Sequence, residues 1–180
     1  FRTAEAALML VDARDGAQIE TIKLWRRLDT RNKPRAVFIN KMDKERANSR
    51  DVLDNLTEEF HSNFAPVTIP IGYAEDFKGV INLIENQAYK FNANGKEEII
   101  PIPDDMAETV EQYREELIEK AAEGADDLIE KYFEEGTLND DDIRRGLREG
   151  LARNSVVPVF VGASEKGAGI TSLLNFIRNN

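Results

Sequence analysis

Ala36-Val37-Phe38-Ile39-Asn40-Lys41-Met42-Asp43 is the stretch that decides how this chain is read. Its first half is a short apolar run of the kind that forms a buried strand. Its second half is polar and follows without a gap. It therefore sits at the carboxyl end of the strand, where open α/β sheets bind their ligands. A carboxylate placed there has a defined use. Guanine presents two adjacent donors, a ring N–H and an exocyclic amine, and one carboxylate accepts both; adenine cannot match that pair. Asp43 is the candidate for this contact. The Lys41 stem is placed to cover a face of the base with its head toward the nucleotide, and Asn40 to tie neighbouring loops together.

Working outward, the flanks repeat one pattern. Ala6–Asp12 predicts a buried parallel strand that ends at an Asp15-Gly16 turn. Ile19, Ile22, Trp25 and Leu28 recur at helical spacing, with Lys23, Arg26 and Arg27 opposite. Beyond the motif, Val52, Leu53, Leu56 and Phe60 predict a second helix, and Val67–Ile71 a third strand. Strand and helix in alternation imply an α/β fold, a parallel sheet with helices on its faces.

The pattern then changes. Gly79–Ile84 and Ala88–Phe91 predict short strands, with an Asn94-Gly95 hairpin turn leading to a strand at Glu97–Ile102. Three helices follow. Asp104 is the expected cap of the first, with Met106, Val110, Tyr113, Leu117 and Ala121 as its apolar stripe and Gly124 at its end. Leu128, Ile129, Tyr132 and Phe133 line the second. Asn139 and the three aspartates after it suit the positive end of the third, which buries Ile143, Leu147 and Leu151. The first pattern returns with a strand at Val156–Val161, a loop at Gly162–Gly169 and a closing helix at Ile170–Ile177 bearing Leu173, Leu174 and Ile177. On this reading an inserted α+β unit at residues 64–154 interrupts a parallel sheet built from residues 1–63 and 155–180.

The Gly162–Gly169 loop is the second candidate site. It stands at the end of a strand, where a backbone N–H of Ala163-Ser164-Glu165-Lys166 can donate to the guanine oxygen. It is not a phosphate loop, because Ala168-Gly169 stands where Lys-Ser/Thr is required. The acidic run at Asn139 is a helix start rather than a calcium loop, since Ile143 and Gly150 fall on ligand positions. His61, the single histidine, reads as a helix-end residue and Trp25 as core. The formal charge of −10 is concentrated: residues 96–151 hold 19 acidic and 7 basic side chains. Such a surface repels nucleic-acid backbones, excludes direct DNA binding and favours a basic partner. The chain has no cysteine and no apolar run long enough to span a membrane, so the expected location is the cytoplasm.

Several stretches together resemble the GTPase domain of bacterial elongation factor G and related translational GTPases. They are Asp15–Thr21, Lys33-Pro34-Arg35 leading into Ile39–Asp43, Pro70-Ile71-Gly72 with Phe77–Leu83, Ala121–Tyr132, and Pro158–Ser164 closing with Gly169-Ile170. The resemblance implies the second half of a phosphate-loop GTPase sheet carrying the inserted subdomain called G-prime. It implies GTP or GDP as the nucleotide, read by Asn40, Lys41 and Asp43 with Ala163, Ser164 and Lys166. It implies action on the ribosome, with the acidic insert touching the stalk protein of the large subunit. The family order in that loop is Ser then Ala, and here it is Ala163 then Ser164.

The phosphate loop, the switch threonine that holds Mg2+ and the Asp-x-Pro-Gly-His segment do not occur in these 180 residues. In the family they precede the part matched here, so the chain reads as an internal fragment that does not hydrolyse GTP by itself. Two alternatives are a related ribosome-protection, release or recycling GTPase, and an acidic protein-interaction module without nucleotide function.

Overall fold

The structure, a computed structural model, describes residues 4–92 and 96–179. The Asn94-Gly95 turn lies outside them.

Among the described residues there are eight strands, in two sheets, and six helices. The first sheet is parallel. β1 (Ala7–Asp12), β2 (Arg35–Asn40), β3 (Phe64–Pro66) and β8 (Val157–Val161) stand in the order β1-β2-β8-β3. α1 (Ile19–Thr30) and α2 (Ser49–Phe60) cover one of its faces. There Met9, Val11, Val37, Ile39, Val157 and Val159 meet Trp25, Leu28, Leu53 and Leu56. Trp25 stacks on Phe60 with ring centres 4.1 Å apart, which locks α1 to α2.

The second sheet is antiparallel, β4 (Thr68–Ile71), β5 (Gly79–Asn82), β6 (Gln87–Phe91) and β7 (Glu97–Ile100) in sequence order. α3 (Ala107–Ala122), α4 (Asp126–Glu135), α5 (Asp140–Arg153) and α6 (Ile170–Asn179) complete the chain. The opposite face of the first sheet carries Ala36, Phe38, Ala65 and Phe160. These join Ile69, Ile81, Leu117, Leu128, Ile143, Leu147 and Phe176 in a core that runs from one sheet into the other.

Five expectations need correcting. The apolar run expected as one strand at Val67–Ile71 belongs to the antiparallel sheet, and the third parallel strand is Phe64–Pro66. Val67 is the hinge: its N–H donates to Val159 of the first sheet and its carbonyl accepts from Leu83, next to β5 (2.8 and 2.9 Å). β1 is buried on one face only: Met9 and Val11 join the core with α1 and α2, while Leu8 and Leu10, the latter 63% exposed, join neither core cluster. Asp104 does not cap α3; it lies in a 3-10 turn, Asp104–Met106, that runs straight into the helix. Phe133 is 82% exposed, on the side of α4 away from Leu128. On α6 the buried face is Ser172, Leu173 and Phe176, which leaves Leu174 and Ile177 in solvent. The Asn139 cap does form, its side chain accepting from the Asp142 N–H at 2.9 Å.

Candidate functional site

β2 and β8 are adjacent and parallel, so the loops at their carboxyl ends emerge side by side. That adjacency brings together two motifs 124 positions apart in sequence. The joint is Asn40. Its amide donates to Ser164 Oγ at 2.9 Å, and its Oδ1 accepts from the backbone N–H groups of Lys41 (2.8 Å) and Ser164 (2.9 Å). Two backbone bonds reinforce it: Met42 N–H to the Gly162 carbonyl at 3.1 Å and Gly162 N–H to the Ile39 carbonyl at 3.0 Å.

The Asp43 side chain is only 3% exposed. Its Oδ2 lies 3.3 Å from the Lys44 ammonium and 3.4 Å from that of Lys166. Glu165 first, and Asp43 with it, push the Lys44 ammonium above its ordinary pKa. The carboxylate thus lies against two cations on long, movable stems.

Lys41 turns away from Asp43. Its backbone is left-handed (φ 67°), and its ammonium lies 2.8 Å from Asp12 Oδ2 at the end of β1. Asp12 also accepts from the Arg14 backbone N–H, Nε and Nη2 at 2.8–3.0 Å. The Arg14 guanidinium, then Lys41, hold the Asp12 carboxyl well below the usual carboxylate range against the opposing effect of burial.

In the second loop, Ala163 is buried and spends both its N–H and its carbonyl on Ala168, closing the loop at its base. Ser164 N–H is taken by Asn40 and Lys166 N–H by the Ala163 carbonyl. Among the described residues no oxygen accepts from the Glu165 N–H, which leaves it as the open donor of the loop.

All six residues singled out from the sequence, Asn40, Lys41, Asp43, Ala163, Ser164 and Lys166, therefore lie in two touching loops. Asp12, Arg14 and Glu97 also belong to this neighbourhood and carry no local signal in the sequence. Glu97 of β7 accepts from the N–H of Gly169, the last residue of the loop, and from that of Thr171 in the first turn of α6. A cavity of about 250 Å³ lies at the opposite end of β1, beside Ala7, Leu8 and Lys33, away from these loops.

The family described as elongation factor Tu GTP binding domain matches residues 1–180. The chain belongs to that family. The elongation factor Tu GTP-binding domain family brings with it GTP or GDP binding of the translational GTPase kind. A protein of Thermus thermophilus, known from its crystal structure, superposes with a TM-score of 0.87 at 27% identity. The match covers 98% of this chain and 26% of that one, so the chain spans about a quarter of that protein's length. The mixed fold, one parallel and one antiparallel sheet, is that of a translational GTPase domain. Among the described residues no helix is long and apolar enough to cross a membrane.

Proposed function

We propose that the two joined loops are the guanine-reading part of an elongation factor G-type translational GTPase. In that role Asp43 accepts the ring N–H and exocyclic amine of the base, and the Glu165 N–H donates to its oxygen. The stems of Lys41 and Lys166 enclose the ring from either side, while Asn40, Ser164 and Ala163 hold the loops in register. The observation that carries this reading is the Asn40–Ser164 joint, which ties the loop of the nearly buried Asp43 carboxylate to the loop whose Glu165 N–H has no acceptor among the described residues.

In the same proposal GTP hydrolysis on the ribosome moves transfer RNA and messenger RNA. The phosphates and Mg2+ are held by groups that these 180 residues do not contain, so the chain alone binds guanine nucleotides weakly and does not turn them over. The inserted unit is drawn in to residues 67–154, since Phe64–Pro66 belong to the parallel sheet with residues 1–63 and 155–180, and the protein acts in the cytoplasm. The partner of the insert is a basic surface, that of the ribosomal stalk protein. The exposed Phe133, with Glu130, Glu134 and Glu135 on the same helix, supports that docking.

The test is Asp43→Asn. The substituted amide still accepts the ring N–H but now donates where guanine also donates, and xanthine supplies an oxygen at that point. Guanosine diphosphate binding should fall on the order of a hundredfold and xanthosine diphosphate binding should rise. Unchanged binding of both, measured by calorimetry, overturns the assignment of Asp43.

A further inference from the structure

The guanine loops are held from behind by the antiparallel sheet, and the contact points converge on one pair of strands. Glu97 opens β7 and lies directly across from Phe91, the last residue of β6. Both reach the second loop. Glu97 accepts from the Gly169 N–H at 2.5 Å with one carboxylate oxygen and from the Thr171 N–H at 3.1 Å with the other. The Lys166 ammonium lies 5.9 Å from the centre of the Phe91 ring, within cation–π reach, while it pairs with Asp43. Phe91 rests in turn on Phe77. The first loop is tied to the same unit, since the Ala74 N–H donates to the Met42 carbonyl at 2.9 Å.

A carboxylate at the start of α6 also suits the helix dipole, and that alone is a structural role. What exceeds it is the route onward. Gly169 follows Ala168, whose N–H and carbonyl both pair with Ala163, and Ala163 leads into Ser164 on Asn40 and the open amide of Glu165. Glu97 therefore fixes the one end of the Ala163–Ala168 loop that Asn40 does not. Gly169 has φ +80° and sits so tightly on Val161 and Gly162 that a Cβ there would overlap the Val161 carbonyl, so the loop has no slack at this point to absorb a displaced Glu97.

We propose that Glu97 is a positioning residue of the guanine site, and that through it and Phe91 the β6–β7 pair sets how firmly the oxygen-reading loop meets the base. The inference rests on the guanine reading above. It makes the antiparallel sheet a handle: a partner that shifts β7 loosens the nucleotide without touching it.

The experiment titrates the 180-residue chain with guanosine diphosphate, inosine diphosphate and 6-thioguanosine diphosphate, following backbone amide signals by NMR. Inosine lacks the exocyclic amine that Asp43 reads. The thio analogue keeps both donors but offers sulfur, a weak acceptor, in place of the oxygen. With Glu97→Ala, guanosine diphosphate should bind about tenfold more weakly. Its preference over the thio analogue should shrink, while its preference over inosine diphosphate persists. Glu97→Gln keeps one acceptor and should fall between; it carries the same readouts if the alanine variant does not fold. Unchanged affinity together with an unchanged oxygen–sulfur preference in either folded variant overturns the proposal. A uniform loss of all three ligands, with both preferences intact, also overturns it, because that marks a fold effect. If Asp43→Asn switches base preference while Glu97 substitutions are silent, only this inference falls. If Asp43→Asn is silent as well, the guanine reading falls with it.

Discussion

Asp12 and Asn40 are register partners at the ends of β1 and β2, and each governs one side of the corner where the base is read. Asp12 does so by charge. Its carboxyl is held below the ordinary value of about 3.9, mainly by Arg14 and then by Lys41. A folded-state value lower than the unfolded one means that its contribution is fully present above about pH 4 and is lost as the pH falls through the lowered value. Wild type should therefore lose more stability between pH 5 and pH 3 than Asp12→Asn does, as read from urea midpoints. Equal acid sensitivity would remove Asp12 from that role. Asn40 works by geometry. Its three hydrogen bonds span both loops, and Asn40→Ala should cost about 1–2 kcal/mol of stability. The same substitution should weaken guanosine diphosphate binding although Asp43 is untouched. A variant that loses stability but not binding would make Asn40 a structural residue only.

Among the elements, the packing of α3 against α5 shows what a missing side chain can do. Gly124 and Gly146 face each other so closely that a Cβ on Gly124 would lie within 1.9 Å of the Gly146 carbonyl oxygen, and one on Gly146 within 2.2 Å of that of Ala121. Neither obstacle is a flexible side chain. Gly146→Ala should destabilise by about 1–3 kcal/mol through overpacking, despite the better helix propensity of alanine, which would otherwise stabilise by up to ~1 kcal/mol. A higher melting temperature for this variant would refute the close contact. These glycines also mark the boundary of what sequence can disclose. β2 and its motif are legible because strand and loop are contiguous. The Asn139 cap is legible because its partner is three residues away. Residues 64–71 are not divisible, since every one is buried and no change of period marks Val67 as the passage between sheets. Apolar spacing identifies a stripe on α4 and α6 but not its cover, so it assigns Phe133, Leu174 and Ile177 to an interior they do not enter. Glu97 meets its partners 72 and 74 positions away, beyond any local pattern.

At the level of the whole molecule, the acidic helices are not a detachable appendage. α3, α4 and α5 supply Leu117, Leu128, Ile143 and Leu147 to the same core as Phe38 and Phe160 of the parallel sheet. Removing them would strip that sheet, so the docking proposal is better tested at the surface. Replacing Glu130, Glu134 and Glu135 by glutamine should slow association with a basic stalk domain severalfold and flatten its salt dependence, leaving the fold intact. Unaltered association kinetics would sink that partner. The strand order has a consequence of another kind, for the moment of synthesis. β3 has β8 as its sole neighbour in the parallel sheet among the described strands, and β8 also separates it from β2. Thr68 and Val161, bonded across the same junction, are 93 positions apart. A chain leaving the ribosome at about 5–20 residues per second carries β3 for roughly five to twenty seconds before its partner is made. During that wait the antiparallel sheet and the three acidic helices can assemble in order, whereas the two halves of the base-reading corner meet only when β8 slots between β2 and β3. Within these 180 residues the corner is thus among the last places to form, and nucleotide capture by a nascent chain would report that the sheet has closed.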